Sequence, residues 1–232
     1  MTSLVRMRLA AFTGSGRVVA PAILTLAIFG VLYGGGASQA GSAYGYSATV
    51  FFPVLAWTTK LILDTEPDVQ RRLARIAVGP RREWLTGLTA AALAGLLLCA
   101  VALVVPLAVG AITGPKPGTH QPSLLAGILL GALAHLLSLA GALALGALSS
   151  RVVAGTLAKG LMILLAGIIL VIVLGLSGSI APWLVPPVMA TARALNADTL
   201  PAASRFLFLT AWTAAWCTAT LTAYARLRSR RA

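Results

Sequence analysis

The segment Gly175-Leu176-Ser177-Gly178 places a serine between glycines, as in serine proteases that work inside membranes. Such a serine becomes a nucleophile only when a histidine base lies within hydrogen-bond reach. In those proteases the histidine follows the serine on a later span, whereas His120 and His135 both precede Ser177 here. We therefore predict no catalytic residue and expect this string to end a helix.

Nucleotide and metal chemistry are not expected in this chain either. A phosphate-binding Walker loop needs Gly-x4-Gly-Lys followed by Ser or Thr. The nearest text, GTLAKG at 155–160, has neither that order nor the hydroxyl. Cys99 and Cys217 both lie in apolar segments and indicate neither a disulfide framework nor a metal site.

Two ionisable residues lie in or near apolar segments. His135 stands midway along a run of Leu and Ala, where an ionisable group is a functional candidate by default. With no buried carboxylate to pair with, a neutral histidine hydrogen-bonded to a neighbouring helix is favoured. Lys60 lies near the end of its segment and is expected to extend its charge toward the interface. On a lateral path it would instead meet an anionic lipid head, with Trp57 and Thr58 on the same surface.

Composition indicates a helical membrane protein. Of 232 residues, 59% are hydrophobic and 10% are charged, which is more apolar surface than a soluble domain of this length needs. A helix needs about 20 residues to cross a bilayer core of about 30 Å. We predict one all-α transmembrane domain, without a nucleotide-binding domain, whose six spans are 18–34, 46–63, 85–112, 123–148, 156–176 and 205–224. In the fourth, Gly127 and Gly131 permit close helix packing, which we expect to occur within one subunit.

Basic residues mark one side of the membrane. Fifteen of the 18 Lys and Arg lie in the N-terminal arm, between segments two and three, between four and five, or in the tail that includes Arg231. Short loops rich in these residues stay in the cytoplasm, which predicts both termini inside. Only Lys116, Arg193 and Arg205 fall on the other side, as does Asp198. Topogenic charge and contact with anionic lipid explain a pI near 11.4 without nucleic acid.

The stretch between segments two and three reads DTEPDVQRRLARIAVGPRREW (64–84) and holds four of the five acidic residues. Thr65 is expected to cap a helix, Glu66 and Asp68 to complement its positive end, and Gly79-Pro80 to end it. The apolar positions of this helix form one stripe: Val69, Leu73 and Ile76.

Two interpretations of this helix remain open: it rests on lipid, or it docks a cytoplasmic partner. Its acidic end favours docking, because carboxylates gain nothing from an anionic membrane. A second amphipathic helix is predicted at 3–12, lying on the inner leaflet with Val5, Leu9 and Phe12 on its apolar face and Arg6 and Arg8 elsewhere.

As a set, these features resemble the membrane subunit of ABC-2 type transporters, an exporter family in which permease and ATPase are often separate chains. The resemblance covers essentially the whole length, including the amphipathic arm, the six spans and the basic helix after the second. The stretch FFPVLAWTTKLILDTEPDVQRRLARIAVG (51–79) is particularly similar to small actinobacterial permeases of this kind.

The resemblance implies that residues 66–77 form a cytoplasmic coupling helix seated on the ATPase and that 3–12 form a connecting helix. The implied ATPase-facing residues are Glu66, Asp68, Gln70, Arg71, Arg72, Arg75 and Arg81, with Arg6 and Arg8 from the arm. Short re-entrant external helices are implied within 178–202, where Pro182, Trp183, Pro186 and Pro187 stand. A substrate path is implied between spans two and five, with Trp57, Thr58 and Lys60 as candidates.

The expected function is therefore that of a permease subunit of an ABC exporter in the bacterial cytoplasmic membrane, moving a hydrophobic or amphipathic substrate such as a lipid, drug or antibiotic. The implied partners are an ATPase dimer, which binds ATP and Mg²⁺, and a second permease subunit, identical or related. This chain itself is expected to hold no cofactor and to catalyse nothing. The alternative is an ATP-independent secondary transporter or channel. Such proteins usually carry mid-membrane acidic residues, and none is predicted here.

Overall fold

The computed structural model is almost entirely helical and describes residues 2–115, 118, 121–197, 199 and 202–230. Its helices are α1 (Thr2–Gly14), α2 (Val19–Tyr33), α3 (Ala40–Leu63), α4 (Asp68–Val78), α5 (Pro80–Ala108), α6 (Leu124–Leu148), α7 (Arg151–Ala154), α8 (Leu157–Gly175), α9 (Val188–Leu195) and α10 (Ala203–Arg230). Two short strands, β1 (Ser38–Gln39) and β2 (Ile112–Thr113), pair in parallel. The predictions for Lys116, His120, Asp198 and Arg231 fall outside the described residues.

Five helices are long and apolar enough to cross a bilayer: α3, α5, α6 with α7, α8 and α10. The pair α1 and α2 meets the same criterion only jointly, and it is bent by 73°. The structure thus confirms, for the residues that it describes, an all-α protein with five or six helices apolar enough to span a membrane. The predicted first span is the weakest of the six, because the 15 residues of α2 extend about 22 Å.

The long helix α3 forms the centre of the molecule, and α6 packs along it. A Cβ added to Gly131 would lie 2.5 Å from the Tyr44 Cβ, and one added to Gly127 would lie 2.7 Å from the Ala40 Cβ. No side chain fits at those distances, so the absence of a Cβ is what lets the two backbones approach. The small residues of α6 therefore pack within this chain, as predicted.

Gly131→Ala is expected to destabilise the protein, because the added methyl group must displace the buried Tyr44. Overpacking of this kind costs about 1–3 kcal/mol. The check is the thermal unfolding midpoint of the purified chain in one detergent, which we expect to fall. The matched control is Gly30→Ala in α2, where nothing lies within 4 Å of the added Cβ. Equal midpoints for the two variants would contradict this account of the helix contact.

Helix directions alternate, so the basic segments meet at one end of the molecule, here called the basic end. It comprises α1, the end of α3, α4, the start of α5, α7 and the end of α10, which ion pairs join to one another. At the far end, β1 pairs with β2, and α9 packs so closely on α3 that a Cβ at Gly45 would lie 3.1 Å from the Ala192 carbonyl oxygen.

The segment before the last long helix contains short helical elements, as predicted. A 3-10 turn covers Pro182–Leu184, and α9 begins directly after Pro187. Trp183 is exposed, whereas the Trp216 indole of α10 donates to the Leu184 carbonyl at 2.8 Å. Proline interrupts the helix here and the tryptophan contact fixes the turn against α10.

Candidate functional site

The helix α4 lies between α3 and α5 at the basic end and differs at its start from the prediction. It begins at Asp68, with Pro67 as the extended residue before it, so Glu66 lies outside the helix. The Thr65 hydroxyl donates to the Leu61 carbonyl at 2.7 Å and therefore belongs to the end of α3. The predicted Thr65 cap is wrong, because proline at 67 holds the chain extended between the two helices.

The end of α4 follows the prediction. Gly79 has a φ of +85°, a conformation open to glycine and costly for other residues, and Pro80 begins α5 immediately after it. This sharp junction sets α4 against the start of α5 with no intervening loop.

Beneath α4 lies a buried group of charges, the arginine–glutamate cluster, formed by Arg8, Glu66, Glu83 and Arg228. The Arg8 Nη2 atom lies 2.5 Å from the Glu66 Oε2 and 2.6 Å from the Glu83 Oε1. The second Glu83 oxygen accepts from Arg228. Glu83 is only 1% exposed. The cluster joins α1, the α3–α4 connection, α5 and α10 through charge-assisted hydrogen bonds in a site with little water.

This cluster corrects the argument drawn from the acidic residues. Glu66 and Glu83 are buried and ion-paired inside the chain, so they are presented neither to lipid nor to a partner. Arg8, predicted to face a partner, is likewise buried. The apolar face of α1 packs on α3 and α5 through Phe12 and is therefore not free to rest on the inner leaflet. By contrast Arg6 is exposed.

A second set of pairs centres on Asp64 at the end of α3. Its carboxylate accepts from Lys60 and, at 2.7 Å, from the Arg151 backbone N–H. Arg17 donates to its carbonyl at 3.0 Å. Lys60 is 5% exposed and lies against Gly160 of α8. Lys60 thus extends one helical turn toward the end of α3, and there its ammonium group meets a buried carboxylate and not the surface.

The outer face of α4 carries the predicted apolar stripe, and that stripe is largely exposed. Val69 is 69% exposed, Leu73 60% and Ile76 84%. Gln70 and Arg72 are exposed beside it, as is Arg81 at the start of α5. Three neighbouring apolar side chains on one short helix form a surface that is costly to leave in water.

The other side of α4 faces α7 across a basic pocket of about 260 Å³, lined by Asp68, Arg71, Arg72, Arg75, Arg151, Val152 and Gly155. Asp68 accepts from Arg71, and its Oδ1 lies 3.3 Å from the Arg151 Nη2. Burial first, and then the charges of Arg228 and Arg151, lower the pKa of the Arg71 guanidinium. Positive charge in this pocket therefore exceeds what its single carboxylate neutralises.

An apolar cavity of about 300 Å³ lies between α1, α2, α3 and α5, farther along the helices from α4. Its walls are Leu9, Phe12, Thr13, Val18, Pro21, Ala22, Thr58, Leu93, Ala94, Leu97 and Leu98. The buried Thr58 hydroxyl has no hydrogen-bond partner among the described residues. Of the three predicted path residues only Thr58 lines this cavity: Trp57 packs in the central core, and Lys60 is paired.

His135 is held between two helices, as predicted. Its Nδ1 lies 2.8 Å from the Gly131 carbonyl oxygen and donates to it. Its Nε2 therefore accepts a hydrogen bond from the Ser47 hydroxyl of α3, at a distance of 3.1 Å. Ser177 lies just beyond the end of α8, followed by Gly178 at a φ of +82°, which confirms the predicted helix end. Within the described ranges no group of three or more His, Cys, Asp or Glu could hold a metal ion.

Sequence reasoning missed the partners of the buried carboxylates, since Arg8 and Arg228 are 75 and 145 residues from Glu83. The signal was the crowding of four acidic residues into one stretch of a strongly basic chain. Comparisons with known protein families, curated proteins and solved structures return no match to this chain.

Proposed function

We propose that this chain is the membrane-spanning permease subunit of an ATP-binding-cassette exporter and that α4 is its coupling helix. The observation that carries the proposal is the build of α4: its outer face is apolar and exposed, while on its other side Asp68 pairs with Arg151 of α7 and Arg71 borders the buried arginine–glutamate cluster. A helix built in this way can receive a push on one face and transmit it to the bundle. The similarity of residues 51–79 to ABC-2 permeases supports the same assignment.

The route of transmission follows the contacts around α4. Arg71 and Asp68 connect α4 to Arg151 and so to α7. Arg71 also borders the arginine–glutamate cluster, which holds α1, α5 and α10. Closure of a partner ATPase on Val69, Leu73 and Ile76 would move these helices together and open the path alternately to the two sides. No covalent chemistry takes place in this chain.

The apolar cavity is the proposed resting place for the apolar part of the substrate. Its lining of aliphatic and aromatic side chains, with threonine side chains at 13 and 58, suits a lipid, drug or amphipathic antibiotic. Because α1 forms one wall, a movement of α4 transmitted through Arg8 would change the shape of this cavity.

The proposed setting is the bacterial cytoplasmic membrane, with the basic end and both termini inside and two permease subunits, identical or related, on an ATPase dimer. The distribution of Lys and Arg supports this orientation, because short basic loops stay inside. The junction of α1 with the end of α10 through Glu83 supports placing both termini on one side.

The test is to purify the tagged chain from its native membrane in mild detergent and identify the proteins that accompany it. We expect a stoichiometric ATPase with a Walker loop, whose ATP hydrolysis drives substrate movement when the complex is placed in vesicles. A chain that purifies alone, and that transports under an ion gradient without ATP, would establish the secondary-transporter alternative. Against that alternative, Asp64, Glu66, Asp68 and Glu83 are all ion-paired at the basic end, and none of them lines the apolar cavity.

A further inference from the structure

We propose that the basic pocket between α4 and α7 is a binding site for a phosphate group. Four of its seven lining residues are arginines: Arg71, Arg72, Arg75 and Arg151. This inference goes beyond the transport assignment and does not depend on it.

The pocket has more positive charge than the acidic side chains in its lining can neutralise. Its one carboxylate, Asp68, accepts from Arg71 and Arg151 through the same oxygen, Oδ1, and so brings a guanidinium group of α4 close to one of α7. The side chains of Arg72 and Arg75 have no hydrogen-bond or ion-pair partner among the described residues. Arg75 is half-buried, so its uncompensated charge is not simply a solvated surface charge.

The chemistry of the donors favours phosphate. Guanidinium groups present planar forks of N–H donors that match two phosphate oxygens at once. A volume of about 260 Å³ holds a phosphate and the group attached to it, since a water molecule takes about 30 Å³. Val152 and Gly155 bring little polar competition to the α7 side.

Such a phosphate would act as a clip between α4 and α7. The direct link between these helices is the contact of Asp68 with Arg151, and Asp68 is largely exposed, so this pair by itself is weakly stabilising. A phosphate that receives hydrogen bonds from both helices would hold α4 more firmly to the bundle. The phosphate can come from a lipid head group of the same leaflet or from a soluble compound.

The experiment uses the full chain in phosphatidylcholine nanodiscs. In one arm inorganic phosphate is titrated at constant ionic strength and the thermal unfolding midpoint is followed. In the other arm about one fifth of the lipid is phosphatidic acid. Saturable stabilisation by inorganic phosphate would identify a soluble source, and stabilisation by phosphatidic acid alone would identify a lipid head group.

The deciding variant is Arg75→Gln, which removes a pocket arginine that holds no other residue in place and so leaves folding intact. We expect its apparent phosphate affinity to fall about tenfold, as for the loss of one charge-assisted hydrogen-bond pair. The matched control is Arg82→Gln, an exposed arginine of the same end outside the pocket, which should bind as the parent chain does.

Two results would overturn the proposal. One is the absence of stabilisation by either form of phosphate, and the other is an equal response of Arg75→Gln and Arg82→Gln, which would reduce the effect to general attraction of a basic surface. If Arg75→Gln weakens copurification of the ATPase while no form of phosphate binds, the pocket belongs to the protein interface instead. If the chain binds phosphate but no ATPase accompanies it, the phosphate proposal stands and the transport assignment is wrong.

Discussion

Glu83→Gln is expected to destabilise the chain by about 3–5 kcal/mol, the range measured when one partner of a buried ion pair is removed. Both Glu83 carboxylate oxygens are engaged, one by Arg8 and the other by Arg228, and the residue is almost fully buried. The amide keeps the shape but leaves two buried guanidinium groups with less compensation. The helices α1 and α10 should then loosen from α5.

The measurement is reaction of the buried Cys99 thiol with a fluorescent maleimide during heating, in a Cys217→Ser background. A lower midpoint for labelling is the expected result. The graded control is Glu66→Gln, since Glu66 pairs with Arg8 alone and one of its oxygens has no partner among the described residues. Its effect should be clearly smaller. Equal effects, or no effect of Glu83→Gln, would contradict the central role given to Glu83.

The helices were predictable because local rules govern them. The long apolar runs form the helices that are apolar enough to span a membrane, and Gly79-Pro80 separates α4 from α5 where the sequence indicates. The predicted ends of helices were less accurate where the adjoining structure sets them. Helix α3 begins at Ala40, six residues before the predicted span, because the strand Ser38–Gln39 and not hydropathy sets its start. An average of hydropathy does not detect a polar helical turn, even where that turn packs against another helix.

The candidate site was less predictable, because its contacts join distant parts of the chain. Arg8, Glu66, Glu83 and Arg228 come together only once α1, α5 and α10 have packed. Glu66 was predicted to lie at an exposed end of the coupling helix because residues 64–84 were considered without the rest of the chain. The apolar stripe was predicted correctly from the same residues, because the helix period alone places its three positions on one face.

This difference changes the experiment that tests coupling. Charge reversal at Arg71 would place a carboxylate beside Asp68, Glu66 and Glu83, so any loss of transport would be confounded with unfolding. The apolar stripe gives a cleaner test, because Leu73 and Ile76 are largely exposed. Leu73→Asp combined with Ile76→Asp should leave insertion and the unfolding midpoint unchanged while ATPase association and transport fall to background.

The single variants Ile76→Asp and Val78→Asp form a matched pair, since each replaces an exposed β-branched side chain of α4 by a carboxylate. Position 78 points about 160° away from position 76, on the side of the helix opposite the stripe. We expect association to weaken for Ile76→Asp and to persist for Val78→Asp. If the double variant still binds the ATPase, α4 is not the docking helix. The double variant could instead keep the ATPase while α4 loses its contact with the membrane surface. That result would show that the apolar stripe binds lipid and not a groove of a partner protein.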